Sequence, residues 1–439
     1  MSAGARGVAV LVAYYVPPAV GIASQRMTGI IRHLPEMGWD PVVVAPRSAH
    51  YHLDPASADA LEGVRVVRTP NPEPSRWLRR MVGGRDQGAA GGGAVREVRS
   101  ATDSPVGAVL QRAVRNWLYV PDAQLLWIPW AAAAAARVLA AQGRGRSVLF
   151  SSSVPFSAHF AARRAARRAG VPWVAEYRDP WSVAPPQFGT TPALRQVLNR
   201  RLDHDIVSSA SAVVVTSEGT ARRYDDVFGE AIRGGLHVVR NGFDGVGQDA
   251  APGPHAPLRL VYSGTLLSPS YAAPLLRALA RLWDASPGSV FLDVFGPAEG
   301  WRAAGGRDGS FLRLHGLVPA DEMPGHLASA SALVLLQPDE AHAQYIAGKL
   351  YEYLGARRPV LAALPPDCEA RTLILRHGEL WSMESLDEPS CFAVLSRLGE
   401  AHRAGLLQGP RVEAERVEPL SRRAQVAGLA RIFDELVRR

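Results

Sequence analysis

The sequence predicts an α/β protein made of two Rossmann-like, doubly wound domains. Three observations predict it. Short apolar runs recur along the chain, and their length suits strands buried on both faces. Stretches with helical apolar spacing separate them, so strand and helix alternate. The scheme then restarts after Asp244 to Pro257, a glycine- and proline-rich linker. A length of 439 residues allows two or three domains. The expected boundaries are 1–243, 258–420, and a terminal helix over 421–439.

Composition bounds the function. Hydrophobic residues make up 47% and charged residues 21%, as in a soluble globular protein. Lys plus Arg exceeds Asp plus Glu by 49 − 41 = 8. Such a basic balance fits an arginine-rich solvated surface, an anionic substrate or an anionic membrane surface. No helix-turn-helix, zinc finger or aromatic-basic RNA motif is present, which argues against nucleic acid. Two cysteines, Cys368 and Cys391, argue against a disulfide scaffold and a cysteine metal site. Val8 to Val16 follows Arg6 but ends in Pro17-Pro18 without a small-residue cleavage pattern, so it reads as a strand. Ala123 to Ala136 is shorter than the ~20 residues of a spanning helix, and Pro129 interrupts it. A cytoplasmic protein is expected, and the alanine- and arginine-rich composition fits a high-GC bacterium.

The first half opens with a strand, Val8 to Ala13, and a loop, Tyr14 to Gly21. Ser24 is positioned to cap a helix carrying Met27, Ile30, Ile31 and Leu34. Gly38 ends it, and Pro41 to Ala45 and Val64 to Arg68 are the next strands. The loop lacks Gly-x-Gly-x-x-Gly, so it is no dinucleotide fingerprint. Gly21 either makes a tight turn or lets a ligand approach the backbone. Residues 83–106 carry no pattern and predict a mobile loop. Arg79, Arg80, Arg112 and Arg115 flank it with Trp77 and Trp117, a solvated surface or a peripheral membrane or acceptor contact.

Ser147 to Ser151 and Pro172 to Glu176 are strands around a helix, 156–169, that carries His159 and a basic face. Tyr177-Arg178-Asp179-Pro180-Trp181-Ser182 follows a strand's C-terminal end, where open parallel sheets bind ligands. Asp203-His204-Asp205 lies in a helix with Arg200 and Arg201 and reads as a solvated face rather than a metal motif. Ala212 to Thr216 and Leu236 to Arg240 complete the strands, and Asn241-Gly242-Phe243-Asp244 is a turn.

The second half repeats the pattern. Strands are expected at Leu258 to Tyr262, Val290 to Phe295, Leu312 to Leu314, Ala332 to Leu336, Pro359 to Leu364 and near Glu379 to Ser382. Ser263-Gly264-Thr265 turns at the end of the first, and Pro274 is placed in the first turn of the next helix. The central stretch is Tyr345 to Leu361. Its short helix begins near Gly348, and a helix N-terminus suits a phosphate. Lys349 stands in the first turn, where a cation is unfavourable without a nearby anion, and Glu352 lies close to the same face.

This stretch resembles the donor-binding segment of GT-B glycosyltransferases of family four, as do Arg178-Asp179-Pro180-Trp181 and Asn241 to Asp244. Many members frame the loop with two glutamates eight positions apart. Glu352 matches the second, and Gln344 stands at the first. The resemblance implies transfer of a sugar from a nucleoside-diphosphate sugar, with retention, without metal, and with no cofactor beyond that co-substrate. It implies donor contacts at Gly21, Gly264, Thr265, Gly316, Val318, Tyr345, Ile346, Ala347, Gly348, Lys349 and Glu352. Lys349, Gln344, Arg178 and Asp179 become the candidate catalytic residues, and His159, Arg178 and Asp179 the acceptor contacts. Relatives often carry Arg and Lys after the strand-end glycine. Here Gly264 is followed by Thr265-Leu266-Leu267-Ser268-Pro269, so Lys349 and backbone dipoles, or another arginine, must face the diphosphate. The terminal helix is expected to cross back to the first domain. The acceptor is a small secondary metabolite or a lipid-linked or cell-surface glycan, reached from the cytoplasm or the inner membrane face. The alternatives are a sugar-nucleotide epimerase, a pseudo-glycosyltransferase, or a non-catalytic sugar-nucleotide-binding protein.

Overall fold

A computed structural model describes residues 7–19, 21–47, 59–72, 119–142, 146–184, 191–245, 253–340, 343 and 345–438. The loop expected at 83–106, its flanking Arg79, Arg80, Arg112, Arg115, Trp77 and Trp117, and Gln344 lie outside the described residues. The chain divides into two compact units, Met1–Arg240 with Gln425–Arg439, and Asn241–Ala424.

The first unit is a seven-stranded sheet, all parallel. Its strands are β1 (Gly7–Ala13), β2 (Trp39–Pro46), β3 (Arg65–Thr69), β4 (Ser147–Ser153), β5 (Trp173–Tyr177), β6 (Ala212–Val215) and β7 (Leu236–Val238), in the order β3-β2-β1-β4-β5-β6-β7. The helices are α1 (Ile22–His33), α2 (Ile128–Ala141), α3 (Ser157–Ala169), α4 (Ala193–Val207) and α5 (Glu218–Phe228). Chain order reverses between β1 and β4, so the ends of these two strands flank the switch point of a doubly wound sheet.

The central strands are buried on both faces, which explains their unbroken apolar runs. One face packs on the alanine-rich helices α2 and α3. The other packs on α1 and on the end of the last helix, through Val426, Leu429, Ala430, Ile432 and Phe433. There the Phe433 ring meets Trp39 edge-on at 5.4 Å, and Trp39 Nε1 donates to Asp434 at 2.9 Å.

The second unit repeats the order with six parallel strands, β10-β9-β8-β11-β12-β13. They are β8 (Leu258–Ser263), β9 (Val290–Phe295), β10 (Leu312–Gly316), β11 (Ala332–Leu336), β12 (Val360–Ala363) and β13 (Leu380–Ser382). Its helices are α6 (Pro269–Ala285), α7 (Glu299–Ala303), α8 (Met323–Ala328), α9 (Gly348–Gly355), α10 (Glu369–His377), α11 (Glu388–Arg403) and α12 (Ala414–Val417). The last helix, α13 (Arg422–Arg438), starts in the second unit and runs into the first. The turn Asn241 to Asp244 is packed into the second unit. Its Phe243 ring fills the place a side chain on Gly355 would take, 2.5 Å from such a Cβ.

Four local expectations are corrected. Helix α1 begins at Ile22, ahead of the expected Ser24 cap, because Gly21 at φ 120° sets the turn and Ser24 is buried inside the helix. Pro129 opens α2 rather than interrupting it, since the first helical turn has no use for the missing N–H. Pro269 takes the first turn of α6, so Pro274 lies within that helix, buried beside Leu275 and Leu276. The fourth concerns Asp203, which is fully buried rather than part of a solvated face, for a reason given below.

Candidate functional site

In the second unit, β8 and β11 pair only at Leu260–Ala332 and Val261–Leu333. Beyond that the strands part, and the Tyr353 hydroxyl stands between them. It accepts from the Ser263 N–H at 2.9 Å and donates to the Val334 carbonyl at 3.2 Å. A side chain of α9 thus opens the switch-point crevice while satisfying the backbone groups it separates. Leu350, Tyr351, Tyr353 and Leu354 are buried, and Lys349 and Glu352 are not. The Lys-Leu-x-Glu-Tyr-Leu pattern is therefore a helix with one core face and one working face.

Three glycines line the neighbouring strand ends. Gly264, Gly296 and Gly316 follow or close β8, β9 and β10, with φ values of 87°, 139° and 73°. They are laced together: Gly264 N–H donates to Phe295 O and Gly296 N–H to Gly316 O, both at 2.7 Å. A Cβ on Gly296 would lie 2.5 Å from the Gly264 carbonyl oxygen. The result is a ledge without side chains, where a ligand can meet the backbone directly. Thr265 is exposed on its rim, and Val318 is half-buried past its far end.

Lys349 points at this ledge. A Cβ on Gly264 would stand 3.5 Å from its Nζ. Its ammonium lies 3.8 Å above the centre of the Tyr262 ring. Burial lowers its pKa from 10.5 to about 7, against the opposing pull of Glu352. Ala347 caps α9 with no side-chain hydrogen bond, so the first-turn amides beside Lys349 are uncapped by any side chain. Tyr345, Ile346, Ala347 and Gly348 lead into that turn half-buried, and Gln337 Nε2 donates to the Tyr345 carbonyl at 2.7 Å. Lys349 is also the only lysine in the 439-residue sequence, a signal that counting alone would have found.

Glu352 lies on the same working face. Arg422 Nη2 is 3.8 Å from its carboxylate, while Arg422 Nη1 donates to Asp244 at 2.5 Å. Burial and the Asp244 charge raise the Glu352 pKa, with Arg422 and Lys349 opposing. Neither Asp244 nor Arg422 was expected as a Glu352 neighbour, because both are remote from it in sequence.

In the first unit, Arg178 stands at the C-terminal end of β5. Its Nε and Nη2 donate to the carbonyls of Ser153 and Val154, at 2.5 and 3.1 Å. It lines a small hollow with Tyr14, Tyr15, Ala23, Met27 and Ser152, next to the switch point. Gly21 is at the N-terminus of α1 nearby in the chain, and Asp179 is exposed.

Asp203 holds the rest of this loop. Its carboxylate accepts from Tyr177 Oη at 2.6 Å and from Ser182 N–H and Oγ at 3.1 and 2.7 Å. Tyr224 Oη donates to it at 3.3 Å and accepts from Trp181 N–H at 3.2 Å. These partners explain how a carboxylate survives full burial. A second buried network was not expected from sequence. Arg26 donates to Glu176 at 2.6 and 3.0 Å and to the carbonyls of Arg240 and Val239, while Ser152 Oγ donates to Glu176 at 2.6 Å.

His159 is fully enclosed. Its Nδ1 is 2.8 Å from Ser151 Oγ, which also accepts from Trp173 Nε1 at 2.8 Å. Burial, with Arg178 adding to it, drops its pKa to about 3, so the ring is neutral. In this structure it offers an acceptor no surface. Among the described residues no cluster of three or more His, Cys, Asp or Glu could hold a metal ion.

The fold is GT-B: two Rossmann-like α/β units with sheets of seven and six strands. Residues 90–245 match the sequence profile of Glycosyltransferase Family 4. Sucrose-phosphate synthase from Thermosynechococcus elongatus superposes with a TM-score of 0.59 at 13% identity, covering 98% of this chain and 99% of that one. HepE of Anabaena, in complex with UDP and glucose, gives 0.58 at 14% identity over 98% and 100% of the chains. A glycosyltransferase from Rickettsia africae gives 0.56 at 11% identity over 98% of each. A search of curated protein sequences finds no match.

Proposed function

We propose that the protein is a glycosyltransferase that takes a sugar from a nucleoside-diphosphate sugar. The observation that carries this reading is the meeting of Lys349, the uncapped N-terminus of α9 and the glycine ledge at one switch point. That combination offers an anion backbone donors, a full positive charge and a floor that admits close approach. The family-four match over 90–245 and the complex of HepE with UDP-glucose support the same class.

In this reading the diphosphate lies on the ledge against the amides around Ala347-Gly348 and the Lys349 ammonium. Glu352 bonds a donor hydroxyl, and Gln344 takes a sugar hydroxyl. Departure of the diphosphate builds negative charge, and donors already in place stabilise it without reorganisation. Transfer proceeds with retention and without metal, the leaving phosphate taking the acceptor proton. Arg178 and Asp179 serve the acceptor side. The acceptor is a small metabolite or a lipid-linked or surface glycan. No described helix is long and apolar enough to cross a membrane, so a lipid-linked acceptor would be met at the surface.

The test is a transfer and hydrolysis screen of UDP-, GDP- and TDP-sugars with wild type, Lys349→Ala and Glu352→Ala. Both variants are expected to fold and to lose turnover, Lys349→Ala by about 10²–10³-fold. Full turnover by both would remove the assignment.

A further inference from the structure

A first-turn lysine sits at the positive end of its own helix, so α9 disfavours the Lys349 charge. Partial burial disfavours it further. Among the described residues no carboxylate comes within ion-pair distance of its Nζ. Glu352, the one charge that favours it, is one turn away and is itself drawn to Arg422, which Asp244 shares. What Nζ does touch is the face of the Tyr262 ring, 3.8 Å from its centre. An aromatic face carries partial negative charge and attracts an ammonium, more so when water is excluded.

The ring is itself fixed. Tyr262 Oη donates to the Thr265 carbonyl at 2.8 Å, tying the ring to the loop after Gly264. Trp301 packs edge-on against it at 4.9 Å and 74°. Tyr262 is 1% exposed, so it has no other role at the surface. The ammonium lies 3.8 Å from the centre of the Tyr262 face and 3.5 Å from where a Cβ on Gly264 would stand. Of the 49 lysine and arginine residues in the sequence, all but Lys349 are arginine.

We propose that Tyr262 is a positioning residue whose ring holds the sole lysine, charged and aimed at the glycine ledge, before a sugar-nucleotide diphosphate arrives. This rests on the glycosyltransferase reading above. It answers the question raised by the uncharged stretch after Gly264: Lys349 is the cation aimed at the ledge, and an aromatic platform keeps it in place.

The single lysine makes the test direct. Protein labelled with ¹³C/¹⁵N-lysine gives one side-chain ε signal. In the ligand-free wild type, the ε protons are expected upfield of free lysine through the ring current of Tyr262. Tyr262→Phe keeps that shift and the titration midpoint. Tyr262→Leu loses the shift, lowers the midpoint by about half a pH unit, and raises KM for the sugar nucleotide more than it lowers kcat. A free-lysine shift in the wild type overturns the proposal, whether or not Tyr262→Leu folds. So does a Tyr262→Leu variant that titrates like the wild type. A signal that shows the ring current but ignores UDP, GDP and TDP overturns it through its premise: the sugar-nucleotide reading fails there, and the contact does not.

Discussion

At the scale of the residue, the lysine of α9 sets the pH behaviour. Its pKa falls from 10.5 to about 7 on folding. Between those values the unfolded chain binds the proton that the native site releases, so stability rises with pH from about 7 towards 10.5. Lys349→Met is expected to flatten that slope in urea titrations. Activity runs the other way. If the proposed reaction uses the Lys349 ammonium, kcat/KM for a sugar nucleotide should fall as pH rises through about 7, the value of the free protein. A donor sugar nucleotide has no phosphate that titrates there, which leaves the lysine as the source of the limb. The buried carboxylate on α4 makes a second residue-scale case. Asp203→Ala leaves Tyr177 Oη and the Ser182 donors without their acceptor and should cost about 1–3 kcal/mol in denaturant melts. It should also loosen the loop that carries Arg178 and Asp179.

At the scale of the element, the ledge depends on glycine. Gly296→Ala would drive a methyl into the Gly264 carbonyl, 2.5 Å away, and adds strain at φ 139°. Nucleotide binding measured by calorimetry should weaken by at least ~10-fold, with the first unit's melting unchanged. Arg26→Ala leaves Glu176 buried and unpaired, with an expected loss of about 3–5 kcal/mol in the first unit. The elements themselves were legible. Strands such as β1, β2 and β11 are covered on both faces, so the sequence has no polar alternation to blur them. The strand-end positions of Arg178 and Gly264 were legible too, because each follows directly on an apolar run. What escaped has one cause. Asp203 lies on a helix whose Leu194 and Val197 are 67% and 50% exposed, so no apolar stripe marks its buried side. Arg26 and Glu176 are 150 residues apart, and no local pattern joins them. His159 looked available because a lone histidine on a basic helix gives no hint of the Trp173 and Tyr177 rings that enclose it.

At the scale of the whole molecule, one sheet order appears twice, 3-2-1-4-5-6 counted within each half, and the first half adds a seventh strand. The family-four match covers 90–245, in the first unit and the turn after it, whereas the lysine and its ledge lie in the second. The two lines of support for the proposed function are thus drawn from separate halves. A nucleoside diphosphate should protect the amides of 347–349 from hydrogen exchange. At 100 times its Kd it should add about 2.7 kcal/mol to the stability of the half that binds it.

The closing stretch of the chain has a consequence for synthesis. Val426 to Phe433 cover a face of the sheet whose strands were all made before residue 240. Those residues are translated long after β7, so that face of the sheet waits with valines and a tryptophan less covered until they emerge. Chaperone capture of nascent chains should persist past the completion of β7 and fall only once Val426 to Phe433 have emerged. Chains truncated before Gln425 should be recovered as aggregates rather than as a soluble shortened protein.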